Sequence, residues 1–569
     1  MDDASRGMKA SERSGSSRWI ASMAWGLGLL LASRFAVALH LVPALGILRG
    51  PLGIVLAGLT LTLAAAQWLV GARSWEDRHR GARPALLFAV AATLFVTVGL
   101  SYASRLRVSG DEPHYLLMAQ SLWREGDLDL RDNMDREDFR EYTPGPLVPH
   151  YGAPRRDGRP FPAHSAGLPA LLAPVYALGG RLAVVVVMGM LAAGLASLTH
   201  ALALRVTGSS TAALAAWGSA VGPPAFFYSF HVYTEVPSAA LLAGSLLLLG
   251  EGGGTASAAL GGLLAGSLPW LHVKMAPAAA ALGLVAAFRL RGRRRAAYLG
   301  VAAAMVAALL AYDQSVFGRP WPLAVYGGLP RDASGSPVRA AAGLLLDRSF
   351  GLLPYAPVFL LGVAGLGGLW RRHRKEAFPH LATGLAVLAP VLVWRMWWGG
   401  QCPPARFLVP LVPLLATAVA CSVERRRGLA RWVWPLAGFG LALALFMSLQ
   451  PGDLLLLNRG DRPTRVWAAL AGEREVARYL PSIVSMDATD VRVAAVWLAA
   501  VVALVLLDAR AQRDESIDEL FKGLAMPLLL LLVVTVAIDR WARSGDGLSS
   551  RAGAATGSCH ASTRTDRPG

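Results

Sequence analysis

The chain has too little charge for a soluble protein of its size. Only 16% of its 569 residues are Asp, Glu, Lys or Arg, whereas 54% are hydrophobic, and the mean hydropathy is +0.45. A chain this apolar must be solvated by lipid over much of its length, which excludes the soluble globular class. Because helices satisfy their own backbone hydrogen bonds in a bilayer, the composition predicts an all-α polytopic membrane protein.

Lysine and cysteine are scarce. The four lysines are Lys9, Lys274, Lys375 and Lys522. Lys274 stands out because it lies inside an apolar stretch. The three cysteines are Cys402, Cys421 and Cys559. So small and scattered a set excludes a disulfide framework or a cysteine zinc site.

The basic residues indicate membrane topology. The formal net charge is +18, and most arginines stand in short clusters between apolar runs. The positive-inside rule places such clusters in the cytoplasm, so the charge needs no nucleic-acid partner. Apolar runs of about 20 residues predict roughly 13–15 spans, with a retained first helix and a cytoplasmic N-terminus.

The order of these runs predicts the organisation of the chain. The parts are a cytoplasmic tail over 1–19, three spans over 20–103, an outer loop over 104–165, a main bundle over 166–450, a second outer loop over 451–490, C-terminal spans over 491–540 and a disordered tail over 541–569. Within the bundle, a short segment broken by prolines is expected at 166–178, spans are expected at 182–204 and 210–228, and a tight pair over 255–288. A loop as long as 104–165 is usually functional.

The outer loop opens with Ser109-Gly110-Asp111-Glu112-Pro113-His114-Tyr115, where the third span ends. Apolar residues then recur at helical spacing, which predicts an amphipathic helix lying along the membrane interface. This stretch is also a good helix start, with capping groups, acids in the first turn and an early proline. Glu235, two residues before Pro237, can likewise be a helix start.

Counting spans from the arginine clusters places a set of polar residues on the same outer face. They are Asp111, Glu112, His114, His231, Glu235, His272, Lys274, Arg348, Gln401 and Arg406. Ionisable groups at membrane depth are costly and usually mark a pathway or a site. Carboxylates suit proton transfer and the cations suit an anionic ligand, so the set predicts an active site.

Several of these residues have plainer explanations. His231 and His272 are compatible with ordinary interfacial histidines, and Lys274 can extend its ammonium to the headgroups. Arg348 can pair with the neighbouring Asp347, and Arg406 can bind lipid phosphate.

Four stretches together carry a family resemblance. They are Asp111-Glu112, Tyr233-Thr234-Glu235-Val236-Pro237, Leu268-Pro269-Trp270-Leu271-His272 and Trp398-Gly399-Gly400-Gln401-Cys402-Pro403-Pro404-Ala405-Arg406-Phe407. Their order resembles the GT-C superfamily of integral-membrane glycosyltransferases, in particular bacterial members related to the lipid A aminoarabinose transferases and the protein O-mannosyltransferases. The resemblance covers roughly 84–450. Two apparent extra spans before the acidic loop, and no large C-terminal soluble domain, depart from the family pattern.

The resemblance implies a polyprenyl-phosphate sugar donor and transfer to a glycan, lipid or protein acceptor outside a bacterial cytoplasmic (inner) membrane. Asp111 would be the general base, or a metal ligand in members that use a divalent metal; no metal is assigned. Glu112 and Glu235 would complete the catalytic acids. The residues implied in substrate binding are His114, His231, His272, Lys274, Arg348, Gln401 and Arg406. Of these, Arg406 and Lys274 would bind the donor phosphate.

Two other function classes stay open at this point. A transporter or flippase of a lipid-linked or anionic substrate would also gather buried charges and broken helices. A related membrane scaffold could keep the fold without the chemistry.

Overall fold

Apolar helices form nearly all of the regular structure. The computed structural model describes residues 83–108, 110–250, 252–328, 333–424, 428–450, 454–455, 465–471, 476–520 and 533–538. Six helices in these ranges are long and apolar enough to cross a membrane. The prediction of an all-α membrane protein is confirmed. The spans predicted before residue 83, most of the last span and the predicted tail lie outside the described residues.

The outer loop begins at the end of the first described helix. Helix α1 (Arg83–Arg105) is followed by α2 (Glu112–Arg124), α3 (Arg131–Asp135) and a 3-10 turn (Asp138–Glu141). Helix α2 is buried from Glu112 to Ser121. The predicted helix therefore exists, but its first ten residues are buried on every face and only its last turn is exposed.

Helix α2 packs against α4 (Gly167–Thr207), a long helical run with a break in its backbone. The break is at Gly179 and Gly180. It falls between the short segment predicted over 166–178 and the span predicted over 182–204.

Three helices follow α4: α5 (Ser210–Val221), α6 (Ala225–Tyr228) and α7 (Glu235–Leu248). The span predicted at 210–228 is therefore too long. Gly222, Pro223 and Pro224 follow α5, and proline can neither donate a backbone hydrogen bond nor fit inside a helix without a clash.

The tight pair predicted over 255–288 is present as α8 (Thr255–Leu271) and α9 (Ala276–Arg289), joined by a 3-10 turn (Val273–Met275). Helix α10 (Gly292–Phe317) packs closely against α8. At Gly262 of α8, an added Cβ would lie 2.1 Å from the carbonyl oxygen of Tyr298. The missing side chain is what lets these two backbones approach.

The remaining helices complete the bundle. They are α11 (Pro337–Leu346), α12 (Phe359–Arg372), α13 (Arg374–Leu392), α14 (Val412–Val423), α15 (Val433–Leu449), α16 (Arg465–Ala471), α17 (Ala488–Ala511) and α18 (Glu515–Leu520). A 3-10 turn (Arg406–Leu411) leads directly into α14.

One end of the bundle carries an arginine-rich ion-pair network. Glu376 at the start of α13 accepts hydrogen bonds from Arg205 of α4 at 2.8 Å and from Arg289 of α9 at 2.9 Å. Lys274 lies two positions before the first residue of α9, so the helix separates it from this network by roughly 20 Å at 1.5 Å per residue. The bundle therefore has two chemically different ends.

Candidate active site

Arg406 is the centre of a buried charge cluster at the other end of the bundle. Its side chain is 7% exposed. Its Nη2 donates to Asp111 Oδ2 at 2.6 Å, and its Nε donates to Glu235 Oε1 at 2.9 Å. A third nitrogen, Nη1, donates to the carbonyl oxygen of Gly399 at 3.0 Å. One planar guanidinium thus joins two carboxylates that are far apart in the sequence.

Lys274 extends the cluster from the turn between α8 and α9. Its Nζ donates to Glu235 Oε1 at 2.7 Å and lies 4.2 Å from the ring centroid of Phe407. The guanidinium carbon of Arg406 lies 4.3 Å from the ring centroid of Tyr233. Aromatic faces attract cations, so the two rings help to hold both positive charges in place.

The charged side chains are positioned by helix starts and turns. Asp111 directly precedes α2, Glu235 is the first residue of α7, and Arg406 opens the turn before α14. Ala405, just before Arg406, has a φ of 57°, a left-handed conformation that costs a non-glycine residue about 1–2 kcal/mol. The Ala405 N–H holds this turn by donating to the Phe350 carbonyl at 2.9 Å.

Asp111 is ionised in this arrangement. Burial would raise the pKa of its carboxyl group, but the nearby Arg406 outweighs burial and the pKa lies well below its usual range. Asp111 occupies the position before α2, yet its side chain does not cap the helix. The predicted helix start is confirmed, with Glu112 and Pro113 in the first turn, but the Asp111 carboxylate binds Arg406 and does not cap the helix.

The two adjacent acids point to different neighbours. Glu112 is buried, and its Oε2 accepts a hydrogen bond from the Val232 N–H at 2.8 Å. Its carboxylate thus braces the segment before α7, whereas Asp111 faces the cation. Asp111 is thus an acid of this pair that forms a direct ion pair with Arg406.

Two of the predicted histidines lie beside the cluster without joining its ion pairs. His272 Nδ1 accepts a hydrogen bond from the Lys274 N–H at 3.2 Å and so shapes the turn that carries Lys274. His231 is buried against the rings of Tyr102 and Phe230. Its Nδ1 forms a hydrogen bond with the Phe227 carbonyl oxygen.

Arg348 and Gln401 are predicted site residues that make backbone contacts. The Arg348 carbonyl accepts hydrogen bonds from Tyr355 and Trp467. Instead of the expected pairing with Arg348, the Asp347 carboxylate accepts hydrogen bonds from four backbone N–H groups. These belong to Ser349, Phe350, Ile483 and Val484. The side chain of Gln401 is exposed, and the backbone carbonyl oxygen of the same residue lies close to Gly110.

His114 lies in a second cluster that the sequence reasoning missed. Its ring stacks on His150 with centroids 4.0 Å apart, and His164 lies 5.4 Å from it. Neither His150 nor His164 belongs to a periodic segment, so no helix pattern pointed to them. The sequence could have indicated them only through the low number of histidines. The chain has 11, and three of these lie in the outer loop.

Comparisons with known proteins give only distant structural likenesses. The chain is similar to ArnT from Cupriavidus metallidurans bound to undecaprenyl phosphate, with 15% identity, a TM-score of 0.45 and coverage of 80% of this chain and 77% of that chain. It is also similar to the Archaeoglobus fulgidus oligosaccharyltransferase in the apo form, with 12% identity, a TM-score of 0.40 and coverage of 66% and 57%. No family model and no curated protein matches the sequence.

Proposed function

We propose that this chain is a GT-C-type glycosyltransferase that moves a sugar from a polyprenyl-phosphate donor to a cell-envelope acceptor on the outer face of the membrane. The observation that carries the proposal is the buried cluster of Asp111, Arg406, Glu235 and Lys274 at one end of the bundle. The four sequence stretches that resemble this superfamily supply three of these residues. Lys274 follows the third stretch by two residues.

Arg406 is the proposed partner of the donor phosphate. A phosphate leaving group gains negative charge as its bond to the sugar breaks, and a preorganised cation stabilises that charge. A guanidinium can bind phosphate oxygens through two parallel hydrogen bonds. Lys274 adds a second positive charge within the same cluster.

To bind Arg406, the donor phosphate must displace one of the two carboxylates that already pair with it. The exposed fractions of the two acidic side chains indicate which one is displaced. The Glu235 side chain is fully buried, whereas that of Asp111 is 23% exposed. A phosphate arriving from outside therefore meets the pair of Asp111 and Arg406 first. When the phosphate binds the Arg406 guanidinium in place of Asp111, the Asp111 carboxylate loses its ion pair and can accept a proton.

The proposed reaction is a single displacement. The acceptor hydroxyl oxygen attacks the anomeric carbon, and its proton passes to Asp111. The bond between that carbon and the phosphate oxygen breaks, and its electron pair leaves with the polyprenyl phosphate. Glu235 keeps Arg406 and Lys274 in place throughout. The resemblance implies inversion at the anomeric carbon and a glycan, lipid or protein acceptor.

The test uses the purified full chain in lipid vesicles with radiolabelled polyprenyl-phosphate sugars and a crude envelope acceptor fraction. We expect label to move from the lipid to the acceptor, and we expect Asp111→Asn to abolish this while the protein still inserts. Asp132→Asn is a matched control, because Asp132 lies in the same loop and pairs with the exposed Arg136.

The same vesicles separate the other function classes. Movement of the lipid-linked sugar across the bilayer without its release would support a flippase and contradict the proposal. Binding without transfer or movement would support a scaffold. Retained transfer in Asp111→Asn would remove Asp111 from the mechanism.

A further inference from the structure

Three histidines of the outer loop converge on one small volume. His114 lies on α2, while His150 and His164 flank a segment of the same loop that folds back on itself. Each offers a ring nitrogen, and these nitrogens all lie within 4.8 Å of one another. The rings of His150 and His164 have centroids 5.6 Å apart. The convergence is therefore a property of the fold of the loop.

Backbone pairing brings the two distant histidines together. Tyr151 and Pro162 form an antiparallel bridge. Just beyond it, the Ala163 N–H donates to the His150 carbonyl at 2.8 Å. This pairing sets His150 and His164 side by side although 13 residues separate them. The buried His114 completes the group from α2.

The histidine group contains an unsatisfied ring nitrogen. His164 Nε2 is buried without a hydrogen-bond partner among the described residues. A buried nitrogen that has lost its hydrogen bonds to water destabilises the folded chain, and a ligand on that nitrogen would offset this cost.

We propose that His114, His150 and His164 bind a divalent transition-metal ion of the zinc class. Neutral imidazoles favour zinc, copper, nickel and iron, whereas magnesium and calcium prefer oxygen ligands. Three histidines plus an open position form a common zinc arrangement. His150 is exposed, so an ion has a route from the outer face. The proposal stands on this geometry alone and does not depend on glycosyl transfer.

The ion would tie the paired segment around His150 and His164 to α2. Asp111 lies three residues before His114, so the ion would also sit near the charge cluster. The acids and bases of that cluster balance in formal charge. A dication nearby would add positive charge beside this balanced cluster and favour an anionic ligand there.

The test measures metal binding directly. The full chain, purified in detergent without a histidine tag and in a Cys559→Ser background, is stripped with a chelator and dialysed against Zn²⁺, Co²⁺ or Mg²⁺. We expect Zn²⁺ and Co²⁺ to bind with a stoichiometry of about one ion per chain, with a visible Co²⁺ absorption, and Mg²⁺ to stay unbound.

Variants of the exposed ligand make the test specific. His150→Ala should weaken Zn²⁺ binding by at least about tenfold, since losing even an outer partner of a ligand costs 10–100-fold. His150→Cys should keep tight binding and shift the Co²⁺ spectrum, because a thiolate also ligates these ions. His373→Ala is the matched control, since His373 pairs with Glu424 outside this group.

Two results would overturn the proposal. One is a wild-type chain that takes up no Zn²⁺ or Co²⁺ while its thermal unfolding stays cooperative. The other is a His150→Ala variant that binds Zn²⁺ as tightly as wild type. Glycosyl transfer is not read in this experiment, so its absence would leave the result unaffected.

Discussion

The guanidinium of Arg406 makes three directed hydrogen bonds that a lysine cannot reproduce. It reaches Asp111, Glu235 and the Gly399 carbonyl through three different nitrogens. A lysine ammonium is a compact charge on a flexible stem and lacks the planar fork. At this position the charge alone is therefore not enough, and the geometry of the donors decides how the carboxylates are held.

Replacing Arg406 with lysine tests this geometry. We expect Arg406→Lys to lower the initial rate of transfer by about a hundredfold, as loss of a charge-stabilising donor typically does. The midpoint of thermal unfolding should also fall, because one buried carboxylate loses its partner. Both are measured on the purified chain with the radiolabelled donor and by a thermal scan in detergent.

Arg339→Lys is the control for that substitution. Arg339 donates to the carbonyls of Ile483 and Val484, outside the cluster. Its replacement should leave the transfer rate within about twofold of wild type, as for surface changes away from a site. Equal rates for Arg406→Lys and wild type would exclude a directed role for the guanidinium.

The sequence could place residues on a common face but could not pair them. Span counting set Asp111, Glu235, Lys274 and Arg406 at one end, because arginine clusters fix the orientation of helices. Which cation meets which acid depends on how helices pack, and Arg406 is 295 residues from Asp111. The catalytic and binding roles of these residues stay predictions.

The turn between α1 and α2 is set by Gly110, which has a φ of 60°. An added Cβ there would lie 2.4 Å from the Tyr233 hydroxyl oxygen and 2.7 Å from the Gln401 carbonyl oxygen. The turn therefore lets α2 approach the segments that carry Glu235 and Arg406. At the scale of elements, this close contact positions Asp111.

Two glycine substitutions separate the close contact from the backbone conformation. Gly126 has a φ of 79° but no heavy atom within 4 Å of an added Cβ. We expect Gly126→Ala to cost only the left-handed backbone penalty of about 1–2 kcal/mol. Gly110→Ala should cost more and reduce transfer, as measured by thermal unfolding and activity. Equal behaviour of the two variants would show that the contact is unimportant.

The close packing of α8 and α10 gives a second prediction at this scale. In Gly262→Ala the added methyl group would clash with the Tyr298 backbone, so the helices must move apart. Overpacking of this kind typically costs about 1–3 kcal/mol. Gly300→Ala on α10 is the control, because nothing lies within 4 Å of its added Cβ and alanine favours a helix. Thermal unfolding in detergent should fall only for Gly262→Ala.

Helices were easier to predict than their ends. The tight pair α8 and α9 was predicted from a polar interruption in a long apolar run. The span expected at 210–228 failed because Pro223 and Pro224 end the helix early. The burial of α2 was also missed, since an amphipathic stripe does not reveal whether the polar face meets water or the loop around it.

The molecule as a whole separates two kinds of charge. Arg205, Arg289 and Glu376 form the network at one end, with arginine in excess. At the opposite end, acids and bases balance in the cluster around Arg406. Arginine excess favours the cytoplasmic side of a bacterial membrane, so the balanced end is expected to face outward. The outer-face acceptor in the proposed function depends on this orientation.

Cysteine labelling tests the orientation. Cys402 and Cys421 are buried, so a Cys559→Ser background leaves few reactive thiols. In spheroplasts, a membrane-impermeant maleimide should label Arg140→Cys, because Arg140 is 57% exposed in the outer loop. Lys375→Cys, at the arginine-rich end, should react only after permeabilisation. The reverse pattern would place the Asp111 cluster in the cytoplasm, and transfer to an acceptor outside the cell could not then occur at this site.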